Sequence, residues 1–307
     1  MTATLVFILS GMLAAATPML FAALGESVAE RSGVLNLSVE GMMATGAAFA
    51  FAVATLSGSH TLGFLAGGTA AALLSLVFAA LVLVFHANQV AAGLAIGVLG
   101  LGVSAFAGNR FEGAAIAKPP SLDIPGLSDL PVVGPILFSH DAMVYLGILL
   151  VPVVALVFTR TKLGLSIRAV GENPEAARAI GTPVLGIRLG CVLFGGFMAG
   201  LGGAHLSIAY TALWAEGLVA GRGWIAVALV VFGSWLPFRI ALGAYVFGAI
   251  SLMELSVQGL GLAIPSQLLS ASPYIVTILV LAAISRDQTR LRLTRPLSLG
   301  KPFRGQA

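Results

Sequence analysis

From Thr4 to Ser285 the sequence is a succession of long apolar runs from which charged residues are nearly absent, and charged side chains make up only 9% of 307 residues. A water-facing surface needs about a quarter of its residues charged. A chain of this length with so few charges cannot clothe a soluble globule, so its outer surface must face hydrocarbon. The 58% hydrophobic content and mean hydropathy of +1.03 point the same way. The fold class expected is an all-α, polytopic transmembrane bundle forming a single domain over residues 1–307.

Nine runs are long enough to cross about 30 Å of hydrocarbon: Thr4–Leu24, Val34–Leu56, Leu62–Phe85, Val90–Ala107, Met143–Phe158, Ile187–Tyr210, Val219–Trp235, Ile240–Val257 and Tyr274–Ser285. Several are short or interrupted by glycine, which leaves eight to ten spans open and allows one to be re-entrant. The first run has no basic residue before it and is longer than a signal-peptide core, so it is read as a retained helix. Glycine is frequent inside the runs, where it lets helix backbones approach closely in lipid.

Orientation follows from lysine and arginine. Arg160, Lys162, Arg168, Arg178 and Arg188 cluster after the fifth run, and Arg286, Arg290, Arg292, Arg295, Lys301 and Arg304 in the tail. With nine spans these fall on one side together with Arg31 and Arg239, which predicts a cytoplasmic C-terminus and an external N-terminus. Residues 108–139, rich in proline and glycine, are then an external loop with little regular structure, while 159–186 and 286–307 are cytoplasmic. The pI near 9.6 thus reflects topology and implies no nucleic-acid partner.

Several chemistries lack their residues. Cys191 is the single cysteine, and His60, His86, His140 and His205 show no ligand spacing, so no metal or cofactor is expected. A phosphate-binding loop needs glycines followed by Lys-Ser/Thr, and Lys118, Lys162 and Lys301 have no such setting. The chain is therefore neither an ATPase nor, lacking a catalytic constellation in its spans, an enzyme.

In the cytoplasmic loop, Asn173 suits an N-cap, Pro174 the first helical position and Glu175 the positive helix end. Ala176, Ala177 and Ala179 favour helix, Gly181 can end it, and Pro183 stops continuation. About two turns are specified, too few to persist alone in water. Two readings are open: a surface helix resting on its own bundle, or a docking element.

Three segments, RSGVLNLSVEGMMATGA (Arg31–Ala47), GLSIRAVGENPEAARAIG (Gly164–Gly181) and GRGWIAVALVVFGSWLP (Gly221–Pro237), resemble the binding-protein-dependent ABC permeases for nucleosides and simple sugars, within the ribose-type group. IPGLSDLPVVGPILF, SPYIVTILVLA and LGKPFRG extend the resemblance over nearly the whole chain in order. It implies a permease subunit of an ATP-driven importer, with a coupling helix formed by Gly171, Glu172, Asn173, Pro174, Glu175, Ala176, Ala177, Arg178 and Gly181. It implies three protein partners: an ATP-binding subunit, a second permease subunit and an external substrate-binding lipoprotein. Lipid surrounds the bundle.

Polar residues inside the runs are candidates for the translocation pathway. Glu40 lies about 10 Å into its span; a charge costs about 2.5–3.5 kcal/mol at a helix centre and somewhat less nearer an edge. Asn36, four residues earlier, is placed on the same helical face. They form either a polar stripe at the cytoplasmic end of the pathway or a clamp between helices. Asn88 and Gln89 either line the pathway or cap the fourth span, and Glu254 lines an outer vestibule or sits at the surface. Trp214, Trp224 and Trp235 are expected as interfacial anchors. The main alternative function is an ion- or proton-coupled secondary transporter using Glu40 and Glu254. Gly41–Leu74 and Gly221–Glu254 show a weak internal similarity that would make an inverted repeat.

Overall fold

The computed structural model describes residues 2–123, 125–128, 130, 133–259, 271–272, 275–276, 279 and 295–303. These residues form an α-helical bundle in which six helices are long and apolar enough to cross a membrane. They correspond to the first six predicted runs. The seventh run is a helix of only 11 residues, the eighth is a helix beginning at Pro237, and of Tyr274–Ser285 all but residues 275, 276 and 279 lie outside the described residues.

Helix α1 (Thr2–Arg31) is 30 residues long, about two turns beyond the predicted end at Leu24. It continues because Val28 and Ala29 are buried against the bundle, and Arg31 in its last turn suits the negative helix end. The chain then turns at Gly33, whose φ of 90° suits glycine. Residues 34–38 are not helical; α2 spans Val39–Ser57. Gly58, left-handed, ends α2 by donating to the Ala54 carbonyl, and the Ser59 hydroxyl caps α3 (His60–Ala79). A π-helical turn at Ala80–Val84 leads to α4 (Gln89–Gly108).

The loop after α4 has more structure than expected. Strand β1 (Leu122–Asp123) pairs antiparallel with β2 (Ser139–His140), Leu122 opposite His140, around the short α5 (Val133–Leu137). Asp141 then caps α6 (Ala142–Arg160) by accepting from the Met143 and Val144 N–H. Two helices follow, α7 (Lys162–Glu172) and α8 (Pro174–Ala179). Next, α9 (Val184–His205) runs into a second π-helical turn, Leu206–Tyr210. The last two helices are α10 (Arg222–Phe232) and α11 (Pro237–Gly259).

Helices α1, α2, α3 and α9 form the centre, with α4 on α2, α6 on α1, α11 along α1, and α10 between α1 and α2. Small residues set these contacts. A Cβ on Gly46 would lie 2.5 Å from the Gly200 Cα, and one on Gly200 would meet the Gly67 carbonyl. Helices α2, α3 and α9 thus touch backbone to backbone, the packing that replaces hydrophobic collapse in lipid. Outward, Phe106 is 88% exposed and Leu73 65%, as a surface facing hydrocarbon requires.

Candidate functional site

The least regular part of the bundle is the chain entering α10. Residues 211–221 are non-helical. At their start they pair with the long loop after α4: Ile116 N–H donates to the Ala212 carbonyl and Gly113 N–H to that of Trp214. At their end they reach the first turn of α2. Glu40 accepts from the N–H of Gly221 and of Gly223, each at 2.7 Å. The 11 residues of α10 rise about 16 Å, roughly half a bilayer core. A half-helix that begins inside a bundle leaves unpaired N–H groups there, and a buried carboxylate answers both their hydrogen bonding and their positive field. A Cβ on Gly223 would stand 2.5 Å from the Glu40 backbone, so glycine is what lets the two helices meet.

Irregular backbone is tolerated at such depth only where protein covers it or a cavity wets it. Val219 is covered, whereas Glu216, Gly217 and Ala220 are exposed. Ala212 and Ala220, with φ of 56° and 47°, hold left-handed conformations unusual for alanine. Arg222 begins α10 and donates to the Leu218 and Val219 carbonyls.

The other end of α10 is also held by a carboxylate. The indole N–H of Trp235 donates to Glu30, and the Arg31 guanidinium donates to the Trp235 carbonyl at 3.2 Å. Trp235 and Trp214 are each 3% exposed, so they are core residues; Trp224, 43% exposed, fits an anchor at the lipid surface. Glu26, one turn before Glu30, accepts from the Asn36 N–H.

The predicted pathway residues separate in the structure. Asn36 precedes α2 and so shares no helical face with Glu40; its side-chain oxygen accepts from both the N–H and the hydroxyl of Ser38. That local bond competes with a helical conformation at 36–38. Asn88 caps α4 through the Ala91 N–H. Gln89, buried, accepts from the Leu35 N–H and donates to the Lys301 carbonyl, joining three segments. Glu254 belongs to α11, and its side chain lies outside the described residues.

At the end of the bundle holding Arg31, α7 and α8 fold onto α9. Asn173 accepts from the Ala176 N–H, Pro174 opens α8, and Gly181 follows it with φ of 84°. Ile167, Val170 and Ala177 are buried; Glu172, Asn173, Glu175, Ala176 and Arg178 are exposed. Gly171 packs against the Arg31 carbonyl. The tail staples this region: Ser298 N–H donates to the Gly171 carbonyl. Arg188, 1% exposed, donates to the Ser298 hydroxyl and the Ser32 carbonyl and stacks on Phe303.

Sequence reasoning missed Glu26 and Glu30, placed beyond the first span because it was ended too early; their spacing of four residues on an uninterrupted helical pattern was the available signal. It also missed His205, whose Nε2–H donates to Asp141 at 3.3 Å. Burial alone would raise the Asp141 carboxyl. The bond from His205, attraction to that ring, and the Met143 and Val144 N–H groups hold it below the usual carboxylate range. Nothing local in the sequence joins positions 141 and 205.

Residues 6–284 match the family described as branched-chain amino acid transport system / permease component. The chain is 41% identical to a putative glucose ABC transporter permease, TsgC13 of Haloferax volcanii, over 95% of each chain. It is 37% identical to the guanosine ABC transporter permease NupQ of Bacillus subtilis, over 87% of this chain and 88% of the relative. Identity to the nucleoside ABC transporter permease NupC of Lactococcus lactis is 32%, over 91% and 92%. No solved structure matches. Such permeases work with ATP-binding and substrate-binding partners. The chain, a multi-pass helical bundle, belongs to the permease-component family of ABC transport systems and is a membrane-embedded transport subunit rather than an enzyme.

Proposed function

We propose that this chain conducts nucleosides, or related simple sugars, through an ATP-driven importer by alternating access. Two of the three relatives above are named for guanosine or nucleosides, and the third for glucose. The observation that carries the coupling half of this reading is α8: buried beneath through Ala177, it presents Glu175, Ala176 and Arg178 outward, with Ile180 beside them 79% exposed. A large exposed apolar residue on a short capped helix is what a groove on an ATP-binding subunit would grip. The element from Gly171 to Gly181, including Glu172, Asn173 and Pro174, is the coupling helix of this proposal. Because α7, α8, the tail and Arg31 are stapled together, a push on α8 would be felt at Trp235 and α10.

The solute route in this proposal runs past exposed Glu216, Gly217 and Ala220 toward Glu40, which positions the half-helix. Asn36, Asn88 and Gln89 hold neighbouring segments in register, and Glu254 stays a candidate for the outer end. The remaining parts follow the positive-inside rule and the expected partner set: a cytoplasmic tail, an external N-terminus, nine spans, a second permease chain and an external binding lipoprotein. The α2–α3 and α10–α11 hairpins are the proposed halves of an inverted repeat.

Reconstitution with an ATP-binding subunit, a second permease chain and a solute-binding protein tests this directly. Guanosine or adenosine should stimulate ATP hydrolysis and accumulate in vesicles, and removal of the ATP-binding subunit should stop accumulation. Accumulation by this chain alone against a gradient would overturn the reading.

A further inference from the structure

We propose that a groove between α6 and α11 is a binding site for an anionic phospholipid, its phosphate held at the basic end of the bundle and an acyl chain along an apolar wall. The groove is a cavity of about 860 Å³. Four arginines line it: Arg31 from α1, Arg160 from α6, Arg168 from α7 and Arg239 from α11. No carboxylate is among its described lining residues. Glu30, close in sequence to Arg31, is fully buried and accepts from the Trp235 indole.

The arginines differ in what already occupies them. Arg168 donates its Nε–H to the Gly164 carbonyl, and Arg31 reaches the Trp235 carbonyl and lies over Phe158. Arg160 and Arg239 are exposed and form no ion pair among the described residues. Arg31 and Arg168 repel each other, with Glu172, which does not line the groove, offsetting part of that charge at Arg31; a phosphate relieves the remaining repulsion on the rim with charge-assisted hydrogen bonds. Because the four arginines come from four separate helices, one anion would tie four elements.

The wall selects lipid over a free anion. Pro152, Ala155 and Leu156 continue the groove up α6, and Phe238, 63% exposed, faces them from α11. Pro152 lies two turns from Arg160, about 12 Å along the helix. A basic rim opening onto an apolar channel between membrane helices is the arrangement that takes an acidic lipid headgroup with its chain.

The test is native mass spectrometry of the full-length chain, alone and assembled in its transporter, with phosphatidylglycerol and phosphatidylcholine of identical acyl chains. Wild type should retain phosphatidylglycerol preferentially in both forms. Arg160→Gln/Arg239→Gln should lower that retention about fivefold per arginine removed without changing the melting temperature, while Arg178→Gln on α8 leaves it intact. If the double variant does not fold, Arg239→Gln alone should show its single step. Equal retention of the two lipids, or unchanged retention in the folded variants, would overturn the proposal. So would displacement of the lipid by soluble glycerol phosphate at matched concentration, which would make the site one for free phosphate. Loss of the lipid on assembly, with cross-links from Phe238 to another subunit, would assign the groove to a protein partner and equally refute it.

Discussion

Both oxygens of Glu40 lie 2.7 Å from backbone nitrogens that open α10, those of Gly221 and Gly223. One carboxylate on α2 therefore fixes where a half-helix begins inside the bundle. Glu40→Gln keeps the shape but turns one acceptor into an NH₂ group facing an N–H. It should destabilise the detergent-solubilised protein by about 1–3 kcal/mol and lower solute-stimulated ATP hydrolysis in the assembled transporter. A thermal melt indistinguishable from wild type would refute the capping role.

Backbone contact between α2, α3 and α9 makes a sharp contrast between two glycines. Gly46→Ala puts a methyl 2.5 Å from the Gly200 Cα, where only backbone can yield, and should cost about 1–3 kcal/mol. Gly102→Ala on α4 meets nothing within 4 Å and should leave the melting temperature unchanged. Parallel thermal unfolding followed by circular dichroism would separate the two.

The coupling proposal predicts a variant that folds but does not work. Ala177 is 3% exposed beneath α8. Ala177→Asp places a charge under the helix and should dislodge it from α7 and α9. ATP-dependent uptake should be nearly abolished while the protein still reaches the membrane in normal amount. Exposed Arg178→Ala should be milder. Uptake by the Ala177→Asp protein at the wild-type rate would dismiss α8 as the point of force entry.

Stability should depend on acid through Asp141. Its carboxyl is held below the ordinary range in the folded protein, with burial opposing and His205 and two N–H groups favouring the charged form. A depressed carboxyl contributes stability that is complete above its unfolded value, about pH 3.9. That contribution is lost as pH falls through the lower folded value. Wild type should therefore lose melting temperature below about pH 4 more steeply than Asp141→Asn, with no difference in slope from this group between pH 5 and 7. Parallel slopes below pH 4 would show that the pairing with His205 adds nothing.

Much of the fold was legible because its signals are local. Apolar length located six membrane helices, and cap chemistry located α8 down to the roles of Asn173, Pro174 and Gly181. Of the two readings open for Asn88, the cap is the local one, and it is the one the structure shows. Most of the ninth run and the Glu254 side chain lie outside the described residues, so the inference there stays with the sequence. The polar candidates were found by residue type, since a charge in an apolar run is visible without any structure.

By itself, the sequence determined that this chain lives in lipid, is helical and carries no engine for hydrolysing ATP. Each conclusion follows from composition, run length or a missing motif, which are properties of neighbouring residues. Only the tertiary structure decided that Glu40 serves Gly221 and Gly223, that Glu30 serves Trp235, that Arg188 serves the tail and that His205 meets Asp141. Those pairings join residues 64 to 205 positions apart. In a medium with no water to satisfy polar groups, a partner is chosen by which helices pack together, and that choice is made by glycine contacts spread along the whole chain.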